Sequence, residues 1–187
     1  MKKVLLLIIS IFIAQSFVQQ AYAYETVLID FPENQGWHAV YYGTIANESI
    51  LQYVPVGQSA ENWTRTIVFH SYKHYNLSSN SAAFMDKTTM QMENKNASQL
   101  YKYIKYTQND SIATRCVEKN SLIPTQCEIY RVSNSHEGLI TMHYINKNVE
   151  DYKNTYRLWY SIMRDIRIYN SYYRTDRILD KATSFEL

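Results

Sequence analysis

Residues 53–69, YVPVGQSAENWTRTIVF, decide the fold. The segment begins as the end of one strand, turns at Pro55 and Gly57, and starts a second strand at Trp63. Strand alternation divides the side chains of this second strand between two faces. One face carries Trp63, Arg65, Ile67 and Phe69, and the other carries Thr64, Thr66 and Val68. The pattern is typical of a central strand in a small, curved antiparallel sheet, and it includes no nucleophile motif, metal-ligand cluster or phosphate loop.

Two further apolar segments precede this strand. Residues 37–45 and 49–54 alternate as strands do, and a tight connection at residues 46–48 joins them. Because the connections are short, we expect the three strands to form an antiparallel meander. Residues 25–31 predict a further strand or a lead-in ahead of the meander.

The rest of the chain predicts a first helix and more strands. The helix begins at Ser79 or Ser81 and runs to about Asn94. Its residues at helical spacing are Ala82, Met85, Thr89 and Met92. Strands are expected at residues 100–107, 112–117, 128–132 and 139–145. The last two are joined by a turn at residues 133–138 and predict a hairpin.

A second helix is expected to begin at Asn148, with Asp151 in its first turn. Its apolar stripe consists of Tyr152, Tyr156, Trp159 and Met163, which favours packing on the sheet over a ligand site. Residues 166–169 fit either a closing strand or a continuation of the helix. Residues 174–187 are charged and are expected to be exposed. The predicted class is α+β, an antiparallel β-sheet with two main helices packed on it.

The start of the chain has the layout of a signal peptide. Lys2 and Lys3 form the charged region, residues 4–13 are a nearly unbroken apolar run, and Ala21 and Ala23 occupy the positions that a signal peptidase reads. The run is shorter than the roughly 20 residues that span a bilayer. We therefore expect cleavage after Ala23 and export by the Sec route, with an uncleaved anchor helix as the alternative. The destination is the periplasm or, after further export, the medium.

Residues 24–187 are expected to form a single domain without a transmembrane segment. The formal net charge of the whole chain is +2, and the predicted signal peptide contributes Lys2 and Lys3 without any acidic residue. The mature chain is therefore neutral. Neutrality argues against nucleic acid as the main partner, since phosphate neutralisation needs a basic surface, and against a polybasic membrane anchor.

Cys116 and Cys127 are the two cysteines of the chain. In an exported protein an even pair at short spacing usually forms a disulfide. Here it would close a loop that contains Pro124 and stabilise the fold by roughly 2–3 kcal/mol on the loop-entropy model. A redox pair and half of a metal site are the alternatives, but redox motifs use a two-residue spacer and zinc would need further cysteines.

Tyrosine is unusually frequent, with 18 residues that include the pairs Tyr41-Tyr42 and Tyr172-Tyr173. Tyrosine has high strand propensity and tolerates partial burial, so these residues fit an exposed sheet surface. They equally fit a binding face, because the ring offers contact area and the hydroxyl offers a hydrogen bond.

The histidines give little support for a metal site. His70 and His74 are four residues apart at the end of a strand, where that spacing spans roughly 13 Å. They could share a metal ion only if the chain bends. His143 lies within a predicted strand, and His136 lies in a turn. With four glycines and no Gly-x-Ser-x-Gly motif, the chain also lacks the usual nucleophile loop.

The C-terminal region alternates arginine with tyrosine. Its arginines are Arg164, Arg167, Arg174 and Arg177, and its tyrosines are Tyr169, Tyr172 and Tyr173. Such a surface could meet an anionic glycan or a lipid head group. The intervening acids favour a solvated, salt-bridged face instead.

Several short motifs together resemble those of small exported proteins of gammaproteobacteria, in particular the novel Legionella-type substrates of the type II secretion system. They are Tyr53-Val54-Pro55 with Gly57, Asn62-Trp63-Thr64, Phe84, Cys116 and Cys127, and Trp159 leading into Arg167-Ile168-Tyr169-Asn170-Ser171. The resemblance implies an α+β fold similar to the Mog1/PsbP type, together with export and a role at the host or the envelope. It also implies a second disulfide near Tyr169, which this sequence does not provide.

The sequence thus favours a secreted or periplasmic, non-enzymatic binding protein, associated with virulence as a type II secretion substrate. Its partner would be a protein, a glycan or a lipid head group of the host or the envelope. The candidate binding residues are Trp37, Tyr41, Tyr42, Trp63, Arg164, Arg167, Tyr172 and Tyr173. A small secreted hydrolase using His70 or His143 with a neighbouring acid is the alternative, and a structural envelope component is a third class. No catalytic residue, metal or cofactor is indicated.

Overall fold

The computed structural model describes residues 24–32, 36–74, 81–93, 99–107, 109–117, 124–171 and 183–186. The predicted signal peptide lies outside these residues. The described strands are β1 (Tyr24–Ile29), β2 (Trp37–Ile45), β3 (Glu48–Pro55), β4 (Arg65–Lys73), β5 (Gln99–Tyr106), β6 (Asp110–Val117), β7 (Gln126–Asn134), β8 (Gly138–Asn146), β9 (Arg167–Ser171) and β10 (Thr183–Glu186). The described helices are α1 (Ser81–Glu93) and α2 (Val149–Asp165).

Seven of the strands form one antiparallel sheet in the order β2-β3-β4-β8-β7-β6-β5, and β10, β1 and β9 form a smaller one. The predicted meander of β2, β3 and β4 and the predicted β7–β8 hairpin are both confirmed. The broad α+β class is confirmed as well, since the described structure is mostly antiparallel sheet with two helices.

β4 is a central strand, as expected, with β3 on one side and β8 on the other. Ile67 and Phe69 are fully buried on it. The strand begins at Arg65, two residues later than predicted. The Gln58 side chain explains the delay, because it accepts a hydrogen bond from the Thr64 backbone N–H at 2.7 Å and donates to the Thr64 hydroxyl at 2.9 Å. These bonds hold the Trp63 segment in the loop.

One face of the large sheet packs against α2. Residues paired across antiparallel strands point to the same face, so the β4–β8 register places Phe69 with Met142 and Ile67 with Tyr144. Trp159 of α2 stacks on Tyr144 with ring centroids 4.2 Å apart. Buried residues of β1 join this same core. The predicted stripe does pack on the sheet: Tyr152, Trp159 and Met163 are buried.

The other face of the sheet packs against α1. Phe84 and Met85 of α1 are buried in a cluster with Tyr130, Val132 and Leu139. The register places these three β7 and β8 residues on the face opposite α2. The two helices therefore cover opposite faces, and α1 covers the portion formed by β6, β7 and β8.

The ends of α2 are fixed by side chains. Asn148 caps the start, as predicted, by accepting from the backbone N–H groups of Glu150 and Asp151 at 3.1 and 3.0 Å. At the other end Arg131 Nη1 donates to the carbonyl oxygens of Met163, Arg164 and Ile166 at 2.8–2.9 Å. This satisfies carbonyls that a helix end leaves without partners.

The chain leaves α2 at Ile166 in an extended conformation and continues as β9. β9 pairs with β1 along its length. Of the two possibilities for residues 166–169, the structure therefore shows the closing strand.

The predicted disulfide is confirmed: Cys116 and Cys127 are bonded, with an S–S distance of 1.99 Å. The two residues lie directly opposite each other in the β6–β7 register. The bond therefore joins two neighbouring strands at the closed end of the hairpin.

Part of the predicted C-terminal tail forms a strand, which the sequence pattern did not predict. Thr183–Glu186 forms β10 and pairs with β1 from Thr26 to Ile29. The tail was predicted as exposed because it is charged, and no strand was predicted here because four residues are too few to show alternation. The edge of β1 supplies the backbone partners that make it a strand.

Candidate binding surface

β2 is an edge strand with an uncharged sequence. Within the described residues it pairs with β3 alone. Its nine residues, WHAVYYGTI, contain no lysine, arginine, aspartate or glutamate. An edge strand presents unpaired backbone donors and acceptors, and proteins commonly protect it with charged side chains. β2 has no such protection.

Large apolar side chains are exposed along this edge. Tyr41, Tyr42 and Ile45 of β2 are 47%, 61% and 79% exposed. Val56 is 70% exposed, and its backbone N–H donates to the carbonyl of Gly36, just before β2, at 2.9 Å. These four are most of the exposed large hydrophobic residues in the described part of the chain. We call Tyr41, Tyr42, Ile45 and Val56 the β2 edge.

A bulge sets the direction of the two tyrosines. The β2–β3 register shifts between Ala39 and Tyr41. Tyr41 then pairs with Gln52, while Tyr42 pairs with Leu51 and points to the α2 face. The Tyr41 ring lies along the strand, where a β-carbon at position 43 would come within 2.5 Å of its hydroxyl. Glycine at that position therefore lets the ring lie flat on the sheet.

Beside the β2 edge, on the face opposite α2, lies a group of half-buried side chains. We call this group the open face, since α1 covers the other end of the same face. It consists of Ile50, Gln52, Val68, His70 and His143.

His143 belongs to a charged cluster that reaches into the sheet. Its Nδ1 lies 3.7 Å from Glu128 Oε2, and the other Glu128 oxygen pairs with Arg115 Nε. Glu128 and Arg115 are both buried. Burial by itself would raise the pKa of the Glu128 carboxyl, but Arg115 and His143 outweigh it and hold that pKa below its usual value. The carboxylate is therefore charged at neutral pH.

His70 lies between an acid and a phenol. Its Nε2 is 3.2 Å from Glu48 Oε2, and its Nδ1 is 2.9 Å from the Tyr72 hydroxyl. Burial lowers the pKa of His70, and the attraction of Glu48 offsets only part of that effect. His70 and His143, the two histidines of the hydrolase alternative, thus each lie within 4 Å of an acidic side chain.

The hydroxyl groups near these histidines do not complete a nucleophilic site. Thr141 lies opposite His70 in the β4–β8 register, and its side chain is buried. The phenol of Tyr72 is the hydroxyl within hydrogen-bonding distance of His70. Within the described residues, the geometry therefore suits activation of water better than attack by a serine or threonine.

The two predicted tryptophans are not part of the β2 edge, because each packs on other residues of the protein. Trp37 stacks on Phe31 at 5.4 Å and meets Trp159 edge-on at 5.2 Å, so it packs against the core. Trp63 lies in the loop before β4, with Lys147 Nζ 3.5 Å from the ring centroid. Both rings thus have partners within the protein.

The two predicted arginines, Arg164 and Arg167, differ in their surroundings. Arg164 is exposed and bonds Asp165 through two 2.8 Å hydrogen bonds, as the salt-bridge alternative predicts. Arg167 is exposed at the start of β9 and lines a groove discussed below. Tyr172 and Tyr173 lie outside the described residues, as do Arg174 and Arg177.

His74 and His136 are exposed, and no group of three or more potential metal ligands occurs in the described residues. Nor does any described helix combine the length and the apolar character needed to cross a bilayer.

The Arg115–Glu128 pair was not predicted, although the sequence holds a signal for it. Arg115 directly precedes Cys116, and Glu128 directly follows Cys127. Once the disulfide joins antiparallel strands, these flanking residues must face each other, as the register shows.

Comparison of the chain with protein-family models, with curated proteins and with solved structures found no match in any of the three.

Proposed function

We propose that the protein is exported through a signal peptide cleaved after Ala23 and works as a non-enzymatic binding protein, of the type II secretion substrate kind. Its partner is a polypeptide that adds an extended segment to β2. The observation that carries the proposal is the uncharged β2 edge, with its exposed apolar side chains. We also propose that the fold is similar to the Mog1/PsbP type.

Strand addition uses both the backbone groups and the side chains of an edge strand. The free backbone groups of an edge strand supply main-chain hydrogen bonds, and side chains on alternating faces supply specificity. Tyr41 points to the open face and Tyr42 to the α2 face. An added strand would therefore contact one tyrosine on each face, and aromatic anchors of this kind dominate many interfaces.

Peptide selection tests the proposal. A phage-displayed peptide library is selected on the purified protein, and the affinities of the selected peptides are measured for the Tyr42→Lys and Leu158→Lys variants. Leu158 is the matched control, because it is an exposed apolar residue of α2 and lines a pocket with residues of β1 and β9 instead of β2. We expect Tyr42→Lys to weaken binding by about tenfold or more, equivalent to ~1.4 kcal/mol, and Leu158→Lys to change it little. Equal affinity for both variants would contradict the proposal.

Export is tested separately by N-terminal sequencing and fractionation. The exported protein should begin at Tyr24 and be found in the periplasm or the medium. Retention of residues 1–23 in a membrane fraction would instead support the uncleaved anchor.

A small hydrolase is the second candidate, because both candidate histidines contact an acid: His70 with Glu48 and His143 with Glu128. A panel of chromogenic ester, phosphodiester and glycoside substrates, with His70→Ala and His143→Ala as variants, tests it. Turnover that is lost in one variant would favour the hydrolase. Peptide binding that both variants retain, without turnover, would favour the binding protein.

A further inference from the structure

A concave site lies away from the β2 edge, where β9 passes the start of β6 and the end of β7. It is an open groove of about 430 Å³. Its walls carry Arg167 and Tyr169 on one side and Asn109 and Asn134 on the other. β6 and β7 belong to the opposite half of the seven-stranded sheet from β2. The groove is therefore a separate surface from the β2 edge.

The floor of the groove is a closed ion pair. Arg131 donates to both carboxylate oxygens of Asp110 at 2.9 Å, and the Ser133 hydroxyl donates to Asp110 Oδ1 at 2.8 Å. The remaining Arg131 donor, Nη1, is held by the carbonyls at the end of α2. The charges of this pair balance each other, and a bidentate pair is geometrically fixed. The floor is therefore rigid and electrically neutral.

Arg167 gives the groove a positive charge. It is exposed, and no carboxylate within the described residues lies within ion-pair distance of it. The nearest acid in sequence, Asp165, is instead bonded twice by Arg164. A guanidinium presents paired donors that match the two oxygens of a carboxylate.

Tyr169 adds a flat surface next to that charge. It lies two residues after Arg167 in β9, so both side chains are on the same face of the strand. The ring is 43% exposed, and the Arg167 guanidinium carbon lies 6.0 Å from its centroid. A rigid, exposed ring of this kind offers stacking area at a low cost in conformational entropy.

The facing wall offers amide groups. Asn134 and Asn109 are tied together, since the Asn134 backbone N–H donates to the Asn109 carbonyl at 2.8 Å and the side-chain amides lie 3.4 Å apart. The exposed Asn109 side chain combines one acceptor with two donors, which suits sugar hydroxyls.

We propose that this groove binds an acidic sugar, meaning a uronic or sialic acid residue of a glycan. The carboxylate of the sugar pairs with Arg167, its apolar ring face stacks on Tyr169, and its hydroxyls bond the asparagine wall. The volume lies within the range of small-ligand sites. Among the described residues that line the groove, Arg167 is the cation without a carboxylate partner, and one such cation beside one aromatic ring fits one carboxylate on one sugar ring.

Binding of defined oligosaccharides to the purified protein tests the inference. Trigalacturonate and sialyllactose are titrated by calorimetry, with methyl-esterified trigalacturonate and lactose as neutral counterparts. We expect at least one acidic sugar to bind and its neutral counterpart to bind about tenfold more weakly or worse.

The matched variants are Arg167→Gln, which removes the arginine of the groove, and Arg157→Gln, which removes an exposed arginine of α2 that does not line the groove. Arg167→Gln should weaken acidic-sugar binding by about tenfold, and Arg157→Gln should leave it within about twofold. Circular dichroism and thermal melts confirm that both variants are folded. Equal binding by wild type and Arg167→Gln would overturn the inference, as would binding to neither acidic sugar. Preferential binding to phosphatidylglycerol vesicles over both sugars would overturn it in favour of a lipid head group.

Discussion

The two edges of the seven-stranded sheet differ in one respect that matters for binding. β2 and β5 are its outermost strands, and each contains a register shift of the kind that a bulge produces. β5, QLYKYIKY, carries Lys102 and Lys105, whereas β2, WHAVYYGTI, carries no charged residue. Lysine on an edge strand is a recognised protection against unwanted pairing.

This contrast indicates that a bulge alone does not protect an edge strand from pairing with another chain. Both edges have a bulge, and only β5 has the charges. β5 is further held near the disulfide, since its Leu100 pairs with Cys116. Within the described residues β2 pairs with β3 alone, and it is the edge that the proposed partner would extend.

Placing two lysines in β2 should remove the difference in charge between the two edges. This change should have the largest effect on peptide affinity. Tyr42→Lys combined with Ile45→Lys places two lysines three residues apart, as they are in β5. Binding of the selected peptides should weaken by about a hundredfold, equivalent to ~2.7 kcal/mol, because a strand would have to approach two charges. Both residues are exposed, so the melting temperature should change little. Unchanged affinity, measured by fluorescence anisotropy, would refute the role of the edge.

Removing the disulfide should affect stability and leave β2 binding intact. Cys116→Ala with Cys127→Ala should lower the free energy of unfolding by about 2–3 kcal/mol, since the link restricts the unfolded chain. Chemical denaturation measures this loss. Peptide affinity should stay within about twofold, because the bond joins β6 to β7 and not β2 to β3. A large loss of peptide affinity in this folded variant would show that the two halves of the sheet are coupled.

Removing both lysines from β5 should make this edge available for pairing with another chain, as is proposed for β2. In Lys102→Thr with Lys105→Thr, the chain should self-associate as its concentration rises, or bind a second equivalent of peptide. Analytical ultracentrifugation and peptide stoichiometry report the change. A monomer with unaltered stoichiometry would mean that another feature protects β5.

Acidification should lower the stability of the fold, and this is the smallest of the expected effects. Its first part arises at His70, in the β2 half of the sheet. Burial lowers the pKa of His70 below its ordinary value of 6.5, with Glu48 offsetting part of the change. The unfolded chain therefore binds a proton at His70 before the folded chain does as the pH falls. The stabilisation is complete above pH 6.5 and is lost as the pH falls toward the folded pKa. Glu128 adds a further loss at lower pH, since its folded pKa also lies below its ordinary 4.5.

His70→Gln should flatten the first part of that dependence, when melting temperatures are compared at about pH 7.5 and 5.5. Tyr72, His143 and Glu48 are the other titratable groups that act on His70. His136→Gln is the matched control, since His136 is exposed in a turn. The same slope in wild type and His70→Gln would contradict this assignment.

Much of the fold was predictable because apolar residues recur at strand or helix spacing within short stretches of the sequence. The alternation in residues 37–69 gave the meander, and the spacing of Tyr152, Trp159 and Met163 gave the buried face of α2. The start of β4 could not be predicted, because the two hydrogen bonds between Gln58 and Thr64 override the strand pattern at Trp63. β10 depends entirely on β1, a partner more than a hundred residues away.

The candidate surface was predictable only in part. Tyr41 and Tyr42 were singled out as aromatic residues in a strand, but their exposure follows from β2 being at an edge, which is a property of the strand order. Trp37 was chosen for the same reason and packs against Trp159. Sequence alone cannot distinguish these cases, since both fit a half-buried strand. The groove beside Arg167 brings together segments whose proximity no local pattern encodes.

The most direct test of the account is amide hydrogen exchange of the protein with and without a selected peptide. If the peptide adds a strand to β2, exchange should slow at alternate amides of Trp37–Ile45, those that face away from β3, and stay unchanged in β5. Slowed exchange elsewhere, with β2 unaffected, would contradict the claim that this uncharged edge is the binding site.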